Sequence, residues 1–410
     1  MASTLKVDTI TTPDGTGNIT TERPLSGSGA SLTNLPAANL TGTIPDARFP
    51  ATLPAVSGAN LTNLPSDVTK ATSDPVVTTN PSGGVGTLYL NKNSGELFCC
   101  TDATSNENVW TNIGGGSGDV EPYVFQGANY GFQAGGWIGG QHNGIWRWAF
   151  ASDGDATDWA DCAQGRELTA SSHSDTYGYT LGGKTDSTLA VNIIEKFQYS
   201  SAANATDVAD LTVARRLGAG HSTATHGYCS GGCTGSESNV IDKHSLSADN
   251  NATDVGDLTV AREAVAGSSS SNHGYTAGGT APSSNVIDKF SFSSDGNSSD
   301  VADLVSAIEY SAGTSSTTHG YVSGGHTGSY ANIIWKYTFA SDSNATDVGD
   351  ITVTRSYASG VSSTTHGYTA GGYSGGYEDE IDKFSFSSDG NATDVGDLIQ
   401  GRYSGVGVED

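Results

Sequence analysis

His273–Gly279 reads HGYTAGG, and the same seven letters return at His366–Gly372. HGYVSGG begins at His319 and HGYCSGG at His226. A histidine recurring beside a glycine is either a ligand or catalytic signature used several times, or a piece of scaffold. Widening the window decides between them. The core Gly-aromatic-x-x-Gly-Gly occurs six times, beginning at Gly131, Gly178, Gly227, Gly274, Gly320 and Gly367, at spacings of 47, 49, 47, 46 and 47 residues. A period this regular marks a repeat architecture.

Each core carries matching pieces downstream. First comes an aliphatic or aromatic run: NGIWRW from Asn143, VNIIEKF from Val191, NVIDKHS from Asn239, NVIDKFSF from Asn285, NIIWKY from Asn332 and DEIDKFSF from Asp379. An acidic piece follows, DATDWAD in the first copy and NATDVGD in three others. Five copies then reach an arginine (Arg166, Arg215, Arg262, Arg355, Arg402), where the fourth has Ile308. The runs are short, β-branched or aromatic, and punctuated by Gly, Asn and Asp, so each unit is read as four strands. Four strands at a period of 40–50 residues predict a β-propeller blade. The fold class expected is therefore all-β: a six-bladed propeller over residues 119–410. GRYSGVGVED (Gly401–Asp410) matches the start of a seventh unit and is expected to return to the first blade and close the ring.

Composition narrows the function classes. The 410 residues carry 44 acidic and 18 basic side chains, a net charge of −26. Nucleic-acid binding needs a basic face to neutralise phosphates, and a polybasic membrane contact needs the same sign. Both are disfavoured, and no run of 18 apolar residues offers a membrane span. The first residues, MASTLKVDTITTPDGTG, have no apolar stretch of the secretory kind. The five cysteines, Cys99, Cys100, Cys162, Cys229 and Cys233, are an odd and scattered set rather than a disulfide framework.

The repeats resemble kelch units: a strand ending in Gly-Gly, an aromatic strand, a polar turn and a strand ending near Arg. Kelch units usually place a Trp after the polar turn, where this chain has Val208, Val255, Val301, Val348 and Val395, and Trp159 only in the first copy. The resemblance implies kelch-like blades with a small-residue variation.

Residues 1–85 are rich in Thr, Asn, Pro and Gly, with a recurring phrase, GASLTNLP (Gly29–Pro36) and GANLTNLP (Gly58–Pro65). Their apolar anchors, such as Leu32, Leu35, Leu61 and Leu64, are too few for a core within one chain. Such polarity also suits a disordered linker, but chains wrapping together would bury the recurring anchors, so 1–85 is expected to be a fibrous shaft. Residues 86–118 are read as a small β domain of two or three strands, with Leu88, Leu90, Leu97, Phe98 and Trp110 as its core, ending in the Gly-rich hinge GGGSGD. STLKVDTI, the LTNLP phrase with LTGTIPDARFPATLP, and GTLYLNKNSGELFCCTDATSNENVWTNIGGGSGD together resemble bacteriophage tail fibres, above all those of marine and cyanobacterial phages. That resemblance implies a protein made in the host cytoplasm and carried on the virion. It also implies an N-terminus held by other tail proteins, a homotrimeric shaft, and a distal domain that meets a glycan or protein of the host surface.

Chemistry is then weighed copy by copy. Ligands to one zinc ion must all lie about 2 Å from it, which His226, His273, His319 and His366 on separate blades do not satisfy. They are read as scaffold, each bonding a turn. Acidic turns such as SDGDATDWAD (Ser152–Asp161) offer hard oxygens but not the EF-hand pattern, and no cofactor or metal is expected. Almost every carboxylate recurs at one repeat position, and no HExxH motif is present, so no enzyme is expected. Binding residues are sought where the copies differ, in the turns after Gly-Gly. Trp137 with His142, His326 with Tyr330, and Tyr373 with Tyr377 stand out there. Two other functions stay open: a structural spacer docking tail proteins, and a glycan depolymerase.

Overall fold

The computed structural model describes residues 68–113 and 126–410. Among them the chain forms strands and turns and no helix, and none is therefore long and apolar enough to cross a membrane. Most of the expected shaft and the Gly-rich hinge lie outside the described residues. The chain divides between Ser66 and Asp67.

The first described sheet has four strands, Val68–Ala71, Leu88–Asn91, Leu97–Asp102 and Val109–Asn112. The first pair is parallel and the others antiparallel. It thus reaches back past residue 86, because Val68–Ala71, too short to show a period, is recruited by pairing with Leu88–Asn91. Its core also differs from the expectation. Tyr89, Phe98, Cys100 and Trp110 are buried, while Leu88, Leu90 and Leu97 point to the half-exposed face. Side chains alternate faces along a strand, and the face holding Tyr89 edge-on to Trp110 (5.5 Å between centroids) has the larger apolar area to bury.

Residues 126–410 form six four-stranded antiparallel sheets. In the fourth repeat the strands are Ala266–Ser269, His273–Ala277, Val286–Ser291 and Ser299–Asp303. The last strand of the chain, Val406–Glu409, pairs with Tyr130–Ala134 and supplies the first strand of the sheet completed by Gly144–Ala149 and Thr157–Asp161. In HGYTA every residue after His273 is buried, since both faces of that strand are covered. Tyr275 stacks on Phe339 of the next sheet at 4.6 Å, and Tyr228–Phe292, Tyr321–Phe386, Tyr368–Phe150 and Phe132–Tyr199 repeat the contact. In the remaining copy Leu246 replaces the second ring, and the Tyr179 hydroxyl donates to its carbonyl at 3.1 Å.

The first strands of the six sheets neighbour one another in cyclic order, Val406–Glu409 lying beside both Ser359–Ser362 and Ala170–His173. Glycine permits the approach. A Cβ on Gly220, Gly267, Gly313, Gly360 or Gly407 would collide with backbone of the preceding first strand. The sixth position is Ser171, whose hydroxyl donates to the Gly407 carbonyl at 2.7 Å.

Two further hydrogen-bond cycles run through all six sheets. On the outer strands, Ala156 N–H donates to Asp397, Ala205 to Asp161, Ala252 to Asp210, Ser298 to Asp257, Ala345 to Asp303 and Ala392 to Asp350, at 2.7–2.8 Å. On the inner side, Leu168, Leu217, Ala264, Tyr310, Tyr357 and Ser404 each donate to the carbonyl of the equivalent residue in the preceding sheet, at 2.8–3.1 Å, Leu168 accepting from Leu217 and donating to Ser404. All six hold a left-handed φ of 54–59° although none is glycine. That local strain persists because the cycle fixes every member.

The repeat arginines bind the seams. Arg262 Nη1 lies 3.1 Å from Asp288 Oδ2 with both side chains fully buried, and Thr259 adds an N–H and a hydroxyl donor to the same carboxylate. Arg166–Glu195, Arg215–Asp242 and Arg355–Asp382 repeat the pair. The two exceptions are informative. Opposite Ile308 the acid is replaced by Trp335, and both are buried in one apolar cluster. Arg402 has no carboxylate there. It lies 3.6 Å from the Trp146 ring centroid and donates to Gln133 Oε1 and to the carbonyls of Gln133, Gly135 and Gly144. Burial lowers its pKa to about 9, which leaves it cationic at neutral pH.

Candidate functional site

At the end of the sheets where the Gly-Gly pairs turn, the residue after each arginine position bridges to the turn of the next repeat. The pairs are Glu167–Lys184, Arg216–Cys233, Glu263–Thr280, Glu309–His326, Ser356–Tyr373 and Tyr403–Trp137. The backbone frame is the same six times, and only the side chains mounted on it differ. The last three pairs carry aromatic rings or histidine, so aromatic surface gathers on one arc of this end.

The arc is continuous. In the sixth repeat the strands run through the Gly-Gly pair, as His366–Tyr373 and Tyr377–Ser385, and end on the cross-strand pair Tyr373–Tyr377. Their ring centroids are 6.2 Å apart, and Tyr403 lies 5.4 Å from each. Tyr330 meets Tyr373 edge-on at 5.9 Å, and His326 meets Tyr330 at 5.8 Å with Nδ1 3.3 Å from Glu309 Oε1. On the other side the Trp137 indole N–H donates to the Tyr377 hydroxyl at 3.3 Å. Lys184 Nζ sits 5.8 Å above the Trp137 ring and 2.9 Å from Glu167 Oε1, which also accepts from Gln141 at 3.0 Å. Toward the inner cycle, Tyr403 contacts Tyr357 (5.7 Å), which stacks on Tyr310 at 4.0 Å. Burial raises the phenol pKa of Tyr310, Tyr357 and Tyr403, so all three are neutral donors at physiological pH. Tyr377 is the most open, at 44% exposure.

Five of the six residues singled out from sequence, Trp137, His326, Tyr330, Tyr373 and Tyr377, thus lie on one surface. His142 does not join it. Its Nδ1 accepts the Gly144 N–H at 2.9 Å and its ring packs 5.4 Å from Trp146, so it fastens its own turn. Burial, and then the Arg402 charge, lower its pKa and keep it neutral. Three members of the arc, Tyr310, Tyr357 and Tyr403, lie just past the arginine position, outside the turns after Gly-Gly where the copies were compared. Comparison between copies held the signal: the residues after the arginine position read EL, RL, EA, EY, SY and YS, aromatic only in the last three.

The other sequence candidates are fastened into the scaffold. Thr225, Thr318 and Thr365 hydroxyls lie 2.8 Å from Nδ1 of His226, His319 and His366, and the backbone N–H of all four repeat histidines, His273 included, is capped by a hydroxyl three residues earlier. Burial first, and then a neighbouring lysine, lower the pKa of each. Of the acidic turns, Asp389 pairs with Lys336 at 2.5 Å, Asp153 pairs with Lys383, and Asp155 accepts the Asp397 N–H at 3.1 Å. Among the described residues no group of three or more His, Cys, Asp or Glu converges as metal ligands would. All five cysteines are free thiols. Trp159 lies under Arg147, whose guanidinium carbon is 3.6 Å from its ring centroid.

The arc therefore offers flat apolar faces rimmed by hydroxyls, an indole N–H, an ammonium and carboxylates, a combination suited to non-covalent recognition. No protein-family model matches this chain, and no curated protein matches it.

Proposed function

We propose that this chain is a bacteriophage tail fibre whose C-terminal domain, a six-bladed kelch-like β-propeller, adheres to the host cell surface. In this reading the small β domain and a homotrimeric shaft carry the propeller, and other tail proteins hold the N-terminus. Three hydrogen-bond and packing cycles through six sheets support the propeller. The phrases that resemble marine and cyanobacterial tail fibres support the virion role.

One observation carries the adhesive role: the Trp137–Tyr377–Tyr403–Tyr373–Tyr330–His326 arc, laid on a frame whose other sectors lack aromatic rings. Scaffold positions recur with the repeat, whereas this surface breaks the repeat. Three propellers on each fibre would add avidity to individually weak contacts.

The test is retention of the fluorescently labelled full chain on a panel of cyanobacterial and other marine bacterial cells. Retention on some strains, lost when Trp137→Ala and Tyr377→Ala are combined, is the expected result. Retention on no strain, with capture of purified tail proteins instead, would favour a spacer. Shortened surface polysaccharide after incubation would favour a depolymerase.

A further inference from the structure

Resting on that adhesive reading, we infer that the ligand of the arc is an uncharged polysaccharide, held with sugar rings face-on to Trp137 and Tyr377. The C–H face of a sugar ring matches a flat aromatic side chain, and its hydroxyls need donors and acceptors at the edge of that ring. Trp137 has both. Lys184, Gln141 and Glu167 form one bonded group beside the indole, and the Tyr377 hydroxyl holds its N–H edge.

Charge separates the ligand classes. The ammonium at the arc, Lys184, is already neutralised by Glu167, whose side chain is only 5% exposed. The other charged neighbours along the strip are mostly carboxylates, Glu309 beside His326 and Glu378, Asp379 and Glu380 in the strand that begins at Tyr377, with Arg216 near Tyr310 donating to the Leu189 carbonyl at 3.0 Å. The whole chain carries −26. A polyuronate, sulfated or phosphorylated polymer would bring like charge to a surface on which, among the described residues, carboxylates outnumber Lys184 and Arg216. A protein partner would need a large desolvated anchor at the centre of its interface. Here Tyr373, Tyr403, Tyr330 and Trp137 are already half-buried against one another, and only Tyr377 stands well clear of the surface.

The experiment uses the labelled full chain on the cells that retain it, after three treatments. Periodate cleaves vicinal diols of surface sugars, protease strips surface proteins, and EDTA removes divalent cations that could bridge two anionic surfaces. Periodate is expected to abolish retention, while protease, EDTA and a rise from 0.05 to about 0.5 M salt leave it unchanged within twofold. Trp137→Ala alone should weaken retention about tenfold, as expected for losing one stacked aromatic face. The variant should fold, because Trp137 joins Tyr403 through main-chain bonds that do not involve the indole. Loss of retention on protease or EDTA treatment, or persistence after periodate, would overturn the neutral-sugar ligand while leaving adhesion standing. Absence of retention on every untreated strain would instead overturn the adhesive reading.

Discussion

The seam between the fourth and fifth repeats makes a quantitative prediction. Four seams hold an arginine against a buried carboxylate, and in three of them a threonine donates twice to that acid. At the seam between the fourth and fifth repeats all three change together: Val305 stands for the threonine, Ile308 for the arginine and Trp335 for the acid. Ile308 is 1% exposed and Trp335 3%. Ile308→Arg alone would place a guanidinium against the Trp335 indole as Arg402 lies against Trp146, but Val322 stands where Gln133 gives Arg402 a side-chain acceptor, and no carboxylate faces it. Burying that charge with no carboxylate opposite costs up to about 3–5 kcal/mol, less what the indole face and neighbouring carbonyls offset. Trp335→Asp alone removes a buried indole and leaves a carboxylate without a partner, which again costs about 3–5 kcal/mol or more. Combining both with Val305→Thr restores the pattern of the other seams. The triple variant should therefore be more stable than the sum of its parts by about 3 kcal/mol, or about 6–12 °C in Tm relative to additivity. Urea unfolding followed by far-UV circular dichroism measures the cycle without relying on Trp335 fluorescence. Additive losses, with no favourable coupling, would refute the idea that these positions form one unit.

Two other outcomes follow from the packing. Gly313→Ala should destabilise by several kcal/mol, because its Cβ would meet the Gly267 backbone, whereas Ser171→Ala should lose only about 1 kcal/mol for one hydrogen bond; thermal melts of the two variants compare them. Burial lowers the pKa of His221 and His244 from 6.5 to about 4. The folded state therefore holds both neutral while the unfolded state binds protons first. Their contribution is complete above pH 6.5 and is lost as pH falls toward 4, with a slope approaching about 1.4 kcal/mol per pH unit for each histidine. His244→Phe, the residue found at Phe290 and Phe384, should remove one of the two slopes from a pH series of urea titrations; an unchanged profile would count against the assignment.

Much of the residue 126–410 region was legible because its information is periodic. Spacing located six units, and short β-branched runs between Gly, Asn and Asp located four strands in each. Val68–Ala71 was not legible, since four residues with Val68 as their one large apolar side chain acquire strand geometry only by pairing. Nor was the buried face of Leu88–Asn91, where alternation defines two faces and the aromatics opposite choose between them.

The candidate site divides in the same way. Sequence alone determined which turns depart from the repeat, and so named Trp137, His326, Tyr330, Tyr373 and Tyr377. It also set the glycines that allow six strands to approach one another. The expected return of the C-terminal strand already made Trp137 and Tyr377, 240 residues apart, neighbours, and the structure joins them by a hydrogen bond; only the tertiary structure added Tyr310, Tyr357 and Tyr403 and turned His142 inward to its own turn. The physical reason is that a repeat fixes the backbone frame locally, whereas adjacency between the first and last copies exists only once Val406–Glu409 pairs with Tyr130–Ala134.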